Sequence, residues 1–408
     1  MLRWWRAFTA PERAALLAAG GGWGVDAFDF MIYTFAIPAL MAAWGMSRGE
    51  AGLIATSTLL VSAAGGWLAG ALSDRVGRVR MLQLTIAWFA VFTFLAGFTH
   101  SFTQLLLVRS LQGLGFGGEW AVGAALVSES VRAEQRGRAV GAVQSAWALG
   151  WGVAALLYAA CFSLLPATLA WRALFWTGLL PALLVLYVRR RVQEPPARAA
   201  VPASERARFM AIFAPGLVRT TLLASLMTTG MQGGYYAVTT WLPTYLKTVR
   251  GLSVVGTGAY LGVIVTGSFA GYLTAAWLSD WLGRRPGFLL FAAGALVVGL
   301  VYTLAPVGNG AILMLGFPLG FFVSGNFSGV GAFFAELFPG AVRGSGMGFA
   351  YNFGRGAGAL FPALVGFLST RLALAPAIGG FAGLAYLLVI VTVLALPETR
   401  GRALDAGA

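Results

Sequence analysis

The chain is poor in the side chains on which most soluble enzymes and disulfide-rich proteins depend. Its 408 residues include one histidine, His100, one cysteine, Cys161, and one lysine, Lys247. A lone cysteine cannot form an intrachain disulfide, and no histidine or cysteine cluster is available to bind a metal ion. The sequence therefore excludes a disulfide scaffold, offers no material for a zinc enzyme or a Ser-His-Asp hydrolase, and predicts no metal site and no organic cofactor.

Charged residues are also scarce. They make up 10% of the chain, whereas apolar residues make up 59% and the mean hydropathy is +0.79. Soluble domains carry about 25% charged and about 45–50% apolar residues. So few charges cannot cover the surface of a soluble protein of 42.8 kDa, which leaves a polytopic membrane protein. The 56 glycines suit helices that pack closely in lipid.

The net charge of +14 does not indicate a nucleic-acid-binding protein. The basic residues form no stripe interleaved with aromatic side chains, as such a surface would need. Arginines instead lie in the gaps between apolar runs, where topology signals lie in membrane proteins.

Twelve apolar stretches are long enough to cross a bilayer as helices. The first is not a cleavable signal, because it is too long and contains Asp26 and Asp29. Period-two alternation is absent, so the sequence predicts an all-α membrane protein rather than a β-barrel. The expected spans lie near 14–44, 51–73, 81–99, 102–128, 138–164, 168–188, 215–246, 254–278, 287–306, 309–335, 345–369 and 373–396.

The distribution of basic residues predicts the orientation. With both termini in the cytoplasm, 21 of the 28 lysines and arginines fall inside and five outside, as the positive-inside rule requires. The longest hydrophilic stretch is then cytoplasmic and reads as a linker between two halves. We therefore expect an N-terminal six-helix bundle over 1–190, a linker over 191–212 and a C-terminal bundle over 213–408.

The two halves repeat each other. Span two ends in GALSDRVGRVR and span eight in AWLSDWLGRRP, so that Asp74 aligns with Asp280 and Arg78 with Arg284 at an offset of 206. Spans four and ten each end in a glutamate that is followed by an Arg-Gly pair, at an offset of 207. Two independent pairs at nearly one offset indicate an internal duplication.

These motifs closely resemble the major facilitator superfamily. Its most specific signature is the G-x-x-x-D-R-x-G-R-x-R loop, found here at Gly70–Arg80, and the second copy departs from it with Ala276 and Trp281. GWGVDAFDFMIYTF in span one and YNFGRGAGALFP in span eleven are similar to segments of proton-coupled carboxylate porters, which include aromatic-acid, sialate and lactate/pyruvate symporters. The resemblance implies two pseudo-symmetric six-helix bundles that rock around a central site.

Charges near the bilayer centre are costly, so they are the best functional candidates. Asp26 and Asp29 lie midway along span one on one helical face, Glu119 lies midway along span four, and Arg355 lies midway along span eleven. Arg109 lies nearer the outer end of span four and is expected either to relay protons or to pair structurally with an acid. The sequence predicts proton coupling at Asp26, Asp29, Glu119 and Arg109.

The repeat offset suggests a division of labour between the halves. Asp26 and Asp29 align with Gln232 and Tyr235, Glu119 aligns with Asn326, and Arg355 aligns with Ala148. The N-terminal half thus contains the acids, which can accept protons, whereas the C-terminal half contains an arginine, whose planar fork matches a carboxylate. We expect substrate binding by Arg355, Gln232, Tyr235, Tyr236, Asn326, Tyr33 and Asn352.

Charged residues at the membrane edge are expected to form a cytoplasmic gate, because long side chains reach the interface easily. The expected gate consists of Asp74, Arg75, Arg78, Glu129, Arg136, Asp280, Arg284, Glu336 and Arg343.

The sequence thus predicts proton-coupled uptake of a mono- or aromatic carboxylate, by a monomer in a bacterial inner membrane, with protons as the coupling ion. An efflux antiporter is the main alternative, although antiporters of this superfamily carry a Gly-Pro pair in span five, where this chain has Trp151. Uptake of a neutral metabolite or sugar would not need the midplane arginine. A membrane enzyme is disfavoured because no catalytic constellation is present, and the identity of the carboxylate stays open.

Overall fold

The computed structural model describes residues 8–131, 136–193, 209–339 and 342–400. Within these ranges the chain forms fifteen α-helices and no strand. The helices are α1 (Ala10–Trp44), α2 (Arg48–Val76), α3 (Arg78–Ala96), α4 (Phe102–Ser130), α5 (Arg136–Leu164), α6 (Ala167–Trp176), α7 (Ala182–Arg191), α8 (Val218–Thr248), α9 (Val254–Leu282), α10 (Arg284–Leu304), α11 (Asn309–Gly325), α12 (Val330–Leu337), α13 (Arg343–Gly358), α14 (Phe361–Leu368) and α15 (Leu374–Ala395).

These helices account for the twelve spans expected from the sequence. Nine spans are single helices, and the sixth, tenth and eleventh consist of α6–α7, α11–α12 and α13–α14. The sixth span is interrupted next to Pro181 and the eleventh next to Pro362, because proline lacks the N–H that a continuous helix uses.

Three of the spans are less apolar than the other nine. In the described part of the chain, nine spans pass a strict test of length and hydropathy, and α4, α8 and α13–α14 do not. Those three contain the buried polar residues Arg109, Glu119, Gln232, Asn352 and Arg355. Buried polar side chains lower the mean hydropathy of a span, and charged ones are costly to place in lipid.

The internal repeat is also visible in the backbone angles. Every described residue with positive φ is a glycine, and the four fall into two pairs at an offset of 206. Gly45 and Gly251 have φ of 65° and 66°, and Gly77 and Gly283 have φ of 100° and 112°. Glycine adopts these angles without the steric cost of a Cβ, so both halves turn between helices at equivalent points.

The two halves meet along α2 with α14 and along α5 with α9. Arg48 donates to the carbonyl of Ser369 at 3.0 Å, and the N–H of Ala363 donates to the Thr56 hydroxyl at 3.1 Å. Gly258 faces Ala159 between α9 and α5. All of these contacts lie at the ends of the helices opposite Phe8 and Arg400, so the two halves are in contact on this side.

Candidate substrate and proton site

Asp29 lies in a cluster of donors from two neighbouring helices. It accepts hydrogen bonds from the Thr93 hydroxyl on α3, from the Gln112 amide on α4, and from Arg109 at 3.2–3.3 Å. The side chains of Asp29 and Arg109 are both buried, and the guanidinium lies 5.4 Å from the ring centroid of Tyr33. A buried ion pair with this many hydrogen bonds has its charges compensated, so the cluster ties α1 to α3 and α4.

Asp26 lies one turn earlier on α1 in very different surroundings. Asp26 and Glu119 are fully buried, and no N–H or O–H donor of the described residues reaches any of their four carboxyl oxygens. The two carboxyl groups nevertheless lie close enough to hydrogen-bond each other when one carries a proton. Gly22 makes room for this arrangement, because a Cβ there would overlap the Glu119 carboxyl group.

Arg355 faces the acid pair from the other half of the molecule. Its guanidinium interacts electrostatically with Asp26 and Glu119 and lies within hydrogen-bonding range of the hydroxyls of Tyr236 and Tyr351. The charge also lies over the Tyr351 ring, with 5.5 Å to the centroid. The structure thus places a fixed cation beside two titratable acids.

A small cavity lies between the halves at this level. Its volume is about 20 Å³, which is room for a single water molecule. The indole N–H of Trp147 donates to the Tyr235 hydroxyl across the interface, and the site is therefore closed around its own side chains. The lining residues are Trp23, Phe116, Gln144, Trp147, Gln232, Tyr235, Tyr236, Tyr272, Phe327, Tyr351 and Arg355.

A larger groove of about 540 Å³ lies between α1, α5 and α7. Its lining side chains are apolar, among them Leu17, Leu149 and Leu180, which are half exposed. It contains no group that could bind an anion or carry a proton, so the functional chemistry belongs to the small central cavity.

The structure brings together several of the residues expected to bind substrate and separates others. Arg355, Gln232, Tyr235 and Tyr236 line the cavity. Tyr33, Asn326 and Asn352 do not. The Tyr33 hydroxyl donates to the carbonyl of Ala51, and the two asparagine amides donate to carbonyls of their own helices.

The expected gate is partly described. Arg284 forms a bidentate ion pair with Glu336, with Nη2 2.8 Å from Oε1, and also donates to Ser279. Arg78 donates to Ser73, which is the equivalent contact at an offset of 206. Arg343 donates to the carbonyl of Ala335 at 2.9 Å. The side chains of Asp74, Arg75, Glu129, Arg136 and Asp280 lie outside the described residues.

Sequence reasoning missed two groups of residues. The first comprises the cavity residues Gln144 and Trp147 on α5. Both are uncharged, so nothing in the sequence distinguishes them from packing residues. The second is Glu398 with Thr399. The Glu398 carboxylate accepts from the backbone N–H groups of Arg284 and Arg285 at 3.0 and 2.9 Å, and Thr399 donates to Glu336 at 2.6 Å. These contacts extend the Arg284–Glu336 pair to the end of α15.

Comparison with known proteins identifies the class. The profile of the Major Facilitator Superfamily matches residues 22–317. A probable 4-methylmuconolactone transporter of Cupriavidus pinatubonensis is 43% identical, with 99% of this chain and 95% of the relative covered. The cis,cis-muconate transport protein of Acinetobacter baylyi is 31% identical over 90% of this chain and 87% of its own length.

Solved structures agree on the fold. The crystal structure of a D-xylose–proton symporter superposes with a TM-score of 0.75 at 20% identity and covers 96% of this chain and 99% of its own. These matches are to transporters, which confirms the expectation that the chain is not an enzyme. The chain is a multi-pass membrane transporter and belongs to the Major Facilitator Superfamily.

Proposed function

We propose that the protein imports an organic carboxylate together with protons by alternating access. The observation that carries this proposal is the electrostatic interaction of the cation Arg355 with Asp26 and Glu119, two buried acids that no described donor reaches. The names of the relatives, which include muconolactone and muconate transporters, agree with an organic acid.

Arg355 supplies the anion-binding group. A guanidinium remains charged at any physiological pH, and its two parallel N–H donors match the two oxygens of a carboxylate. The hydroxyls of Tyr236 and Tyr351 lie within hydrogen-bonding range of this guanidinium and can restrict its position. A carboxylate that enters the cavity therefore finds a preorganised cation.

The acid pair supplies the coupling. When Asp26 or Glu119 is ionised, its negative charge competes with the substrate for Arg355. Protonation of both carboxyl groups removes that competition, so the site loaded with substrate holds no uncompensated buried charge. This balance matters because an isolated charge in a low-dielectric interior is very costly.

Alternating access then follows from the position of the contacts between the halves. The described contacts of α2 with α14 and of α5 with α9 close the side opposite the termini. The distribution of arginines favours termini in the cytoplasm of a bacterial cell, and with this orientation the closed side is the external one. The Arg284–Glu336 pair and its neighbours are the cytoplasmic gate elements of the C-terminal half, and we propose that a single chain completes the cycle.

The test is uptake of radiolabelled carboxylates into proteoliposomes with an imposed inward proton gradient. We expect accumulation only with the gradient. Arg355→Ala should weaken substrate binding about 30-fold or more, as loss of one partner of a buried charge pair does. Asp26→Asn should still exchange substrate across the membrane but should not accumulate it.

Glu50→Gln is the matched acid control, because Glu50 lies at the outer end of α2 in a capping box that glutamine also supports. Substrate efflux driven by proton entry would overturn the proposal in favour of an antiporter. Uptake of sugars with no carboxylate transport would overturn the role of Arg355.

A further inference from the structure

The central site can neutralise only one negative charge. Two basic residues lie away from the ends of the spans, Arg109 and Arg355, whereas the others lie near span ends or between spans. Arg109 is already paired with Asp29 at 3.2 Å, away from the cavity lining. Arg355 is the cation that faces the cavity, so a substrate anion can meet one positive charge.

The protonation state of Asp26 and Glu119 limits the net positive charge of the cavity. Asp26 and Glu119 are neutral when protonated and negative otherwise, so they never add positive charge. The cavity therefore carries at most one net positive charge, and it carries less whenever either acid is ionised. A second carboxylate on the substrate would be buried without a counter-ion, which is strongly unfavourable.

The cavity also offers a neutral polar group from the opposite half. Gln144 on α5 lines the cavity, its side chain is only 8% exposed, and its Oε1 has no hydrogen-bond partner among the described residues. Buried polar atoms without partners are rare in native proteins and call for an explanation. A primary amide can present either a donor or an acceptor by rotation, so it suits an uncharged carbonyl or hydroxyl on a substrate.

The remaining walls are aromatic. Trp23 and Trp147 lie with ring centroids 4.7 Å apart, and the rings of Tyr235 and Phe327 lie 5.4 Å apart. Flat or unsaturated molecules stack well on such surfaces. The walls therefore favour a compact planar body between the two polar groups.

From these features we propose that the substrate is a planar monocarboxylate with a second, uncharged polar group, and that Gln144 binds this second group while Arg355 binds the carboxylate. The absence of a second cation makes the site reject dicarboxylates. This inference rests on the proposed function and names the substrate class of the same site.

Two acids of similar size distinguish a site for monocarboxylates from a site for dicarboxylates. 4-Methylmuconolactone carries one carboxylate and an uncharged lactone, whereas cis,cis-muconate carries two carboxylates. Benzoate, with one carboxylate and no second polar group, is the third probe. With a proton gradient at pH 7, we expect uptake in the order lactone, benzoate, muconate, with muconate lower than the lactone by about 100-fold, as an unpaired buried charge implies.

Substitutions at Gln144 test the assignment of the two ends. Gln144→Ala should lower the ratio of lactone to benzoate uptake about fivefold, the usual effect of one neutral hydrogen bond. Gln144→Arg should add a second cation and raise the ratio of muconate to lactone uptake at least tenfold. Ser145→Ala is the control, because Ser145 donates within its own helix to Ala142 and is absent from the cavity lining.

The outcomes distinguish the two proposals. If none of the three acids enters with protons, the proposed function fails and the substrate class fails with it. If muconate enters as well as the lactone, the single-cation argument is wrong while carboxylate symport stands. If Gln144→Ala leaves the lactone-to-benzoate ratio unchanged, Gln144 does not bind the substrate.

Discussion

Asp26 and Asp29 lie one turn apart on α1 and are equally buried, yet their surroundings are opposite. Asp29 is surrounded by a guanidinium, an amide and a hydroxyl from neighbouring helices. Asp26 faces another acid, Glu119, and no described donor reaches either carboxyl group. The comparison shows that a buried carboxylate is assigned its role by the donors around it and not by its depth in the membrane.

The physical reason is charge compensation. A carboxylate with a matched cation and two further donors is stable as an ion, and releasing it would leave Arg109 buried without a counter-charge. A carboxylate without donors is stable only when protonated or when it shares a proton with a neighbour. We therefore propose that the Asp29 cluster holds the N-terminal helices together and that the Asp26–Glu119 pair exchanges protons.

The largest expected effect concerns stability at the Asp29 cluster. Asp29→Asn leaves Arg109 without a counter-charge and should destabilise the protein by about 3–5 kcal/mol. Thermal melting of the purified protein in detergent measures this loss. Asp26→Asn is the matched variant on the same helix and should melt within about 1 kcal/mol of the wild type, because it breaks no ion pair and its amide can still donate to Glu119.

The double variant Asp29→Asn with Arg109→Gln should recover part of the lost stability, because it removes the uncompensated cation as well. If Asp26→Asn were the more destabilising of the two single variants, the assignment of the two acids would have to be reversed.

An intermediate effect is expected from Gly22→Ala. The added Cβ overlaps the Glu119 carboxyl group, which has to swing away from Asp26. Proton-driven accumulation of substrate should fall severalfold while the fold is retained, since the far end of a flexible side chain moves easily. Gly20→Ala is the control on the same helix, because its Cβ would make an ordinary contact with Ala146 at 3.9 Å. Equal accumulation by the two variants would argue against a role for the acid pair.

The smallest effect concerns an acid outside the spans. Partial burial alone would raise the pKa of Glu398, but the backbone N–H donors of Arg400, Arg284, Arg285 and Thr399 outweigh it and lower the pKa. The ionised form therefore stabilises the fold above the unfolded pKa of about 4.3, and this contribution is lost as the pH falls through the lower folded value.

Glu398→Gln should accordingly cost about 0.3–1 kcal/mol at pH 7, as an anion at a helix N-terminus does. The difference from the wild type should shrink when melting is measured at successively lower pH. A constant difference across that series would show that charge at Glu398 contributes nothing.

Much of the fold followed from patterns along the chain. Twelve apolar stretches and a repeat at an offset of 206 predicted the spans and the duplication, and the paired glycines Gly45 with Gly251 and Gly77 with Gly283 show the same offset in the backbone. The cost of charge in lipid also singled out Asp26, Asp29, Glu119 and Arg355 before any contact was known. These signals are local, so they can be read without knowing which helices are neighbours.

The sequence did not predict which of those charged residues pair with each other. Along the sequence Asp26 and Asp29 are equivalent, and Arg109 could have paired with either. Only the packing of α1 against α3 and α4 brings Thr93, Gln112 and Arg109 to one acid and leaves Glu119 for the other. Gln144 and Trp147 became visible for the same reason, since an uncharged residue in a span carries no signal until its neighbours are placed.

The sequence by itself determined the membrane class, the number of spans, the duplicated halves and the few costly charges, because hydropathy and spacing act over single helices. The tertiary structure alone decided which charges compensate each other and which lie without a described donor, because Coulomb and hydrogen-bond energies depend on distances between helices far apart in the chain.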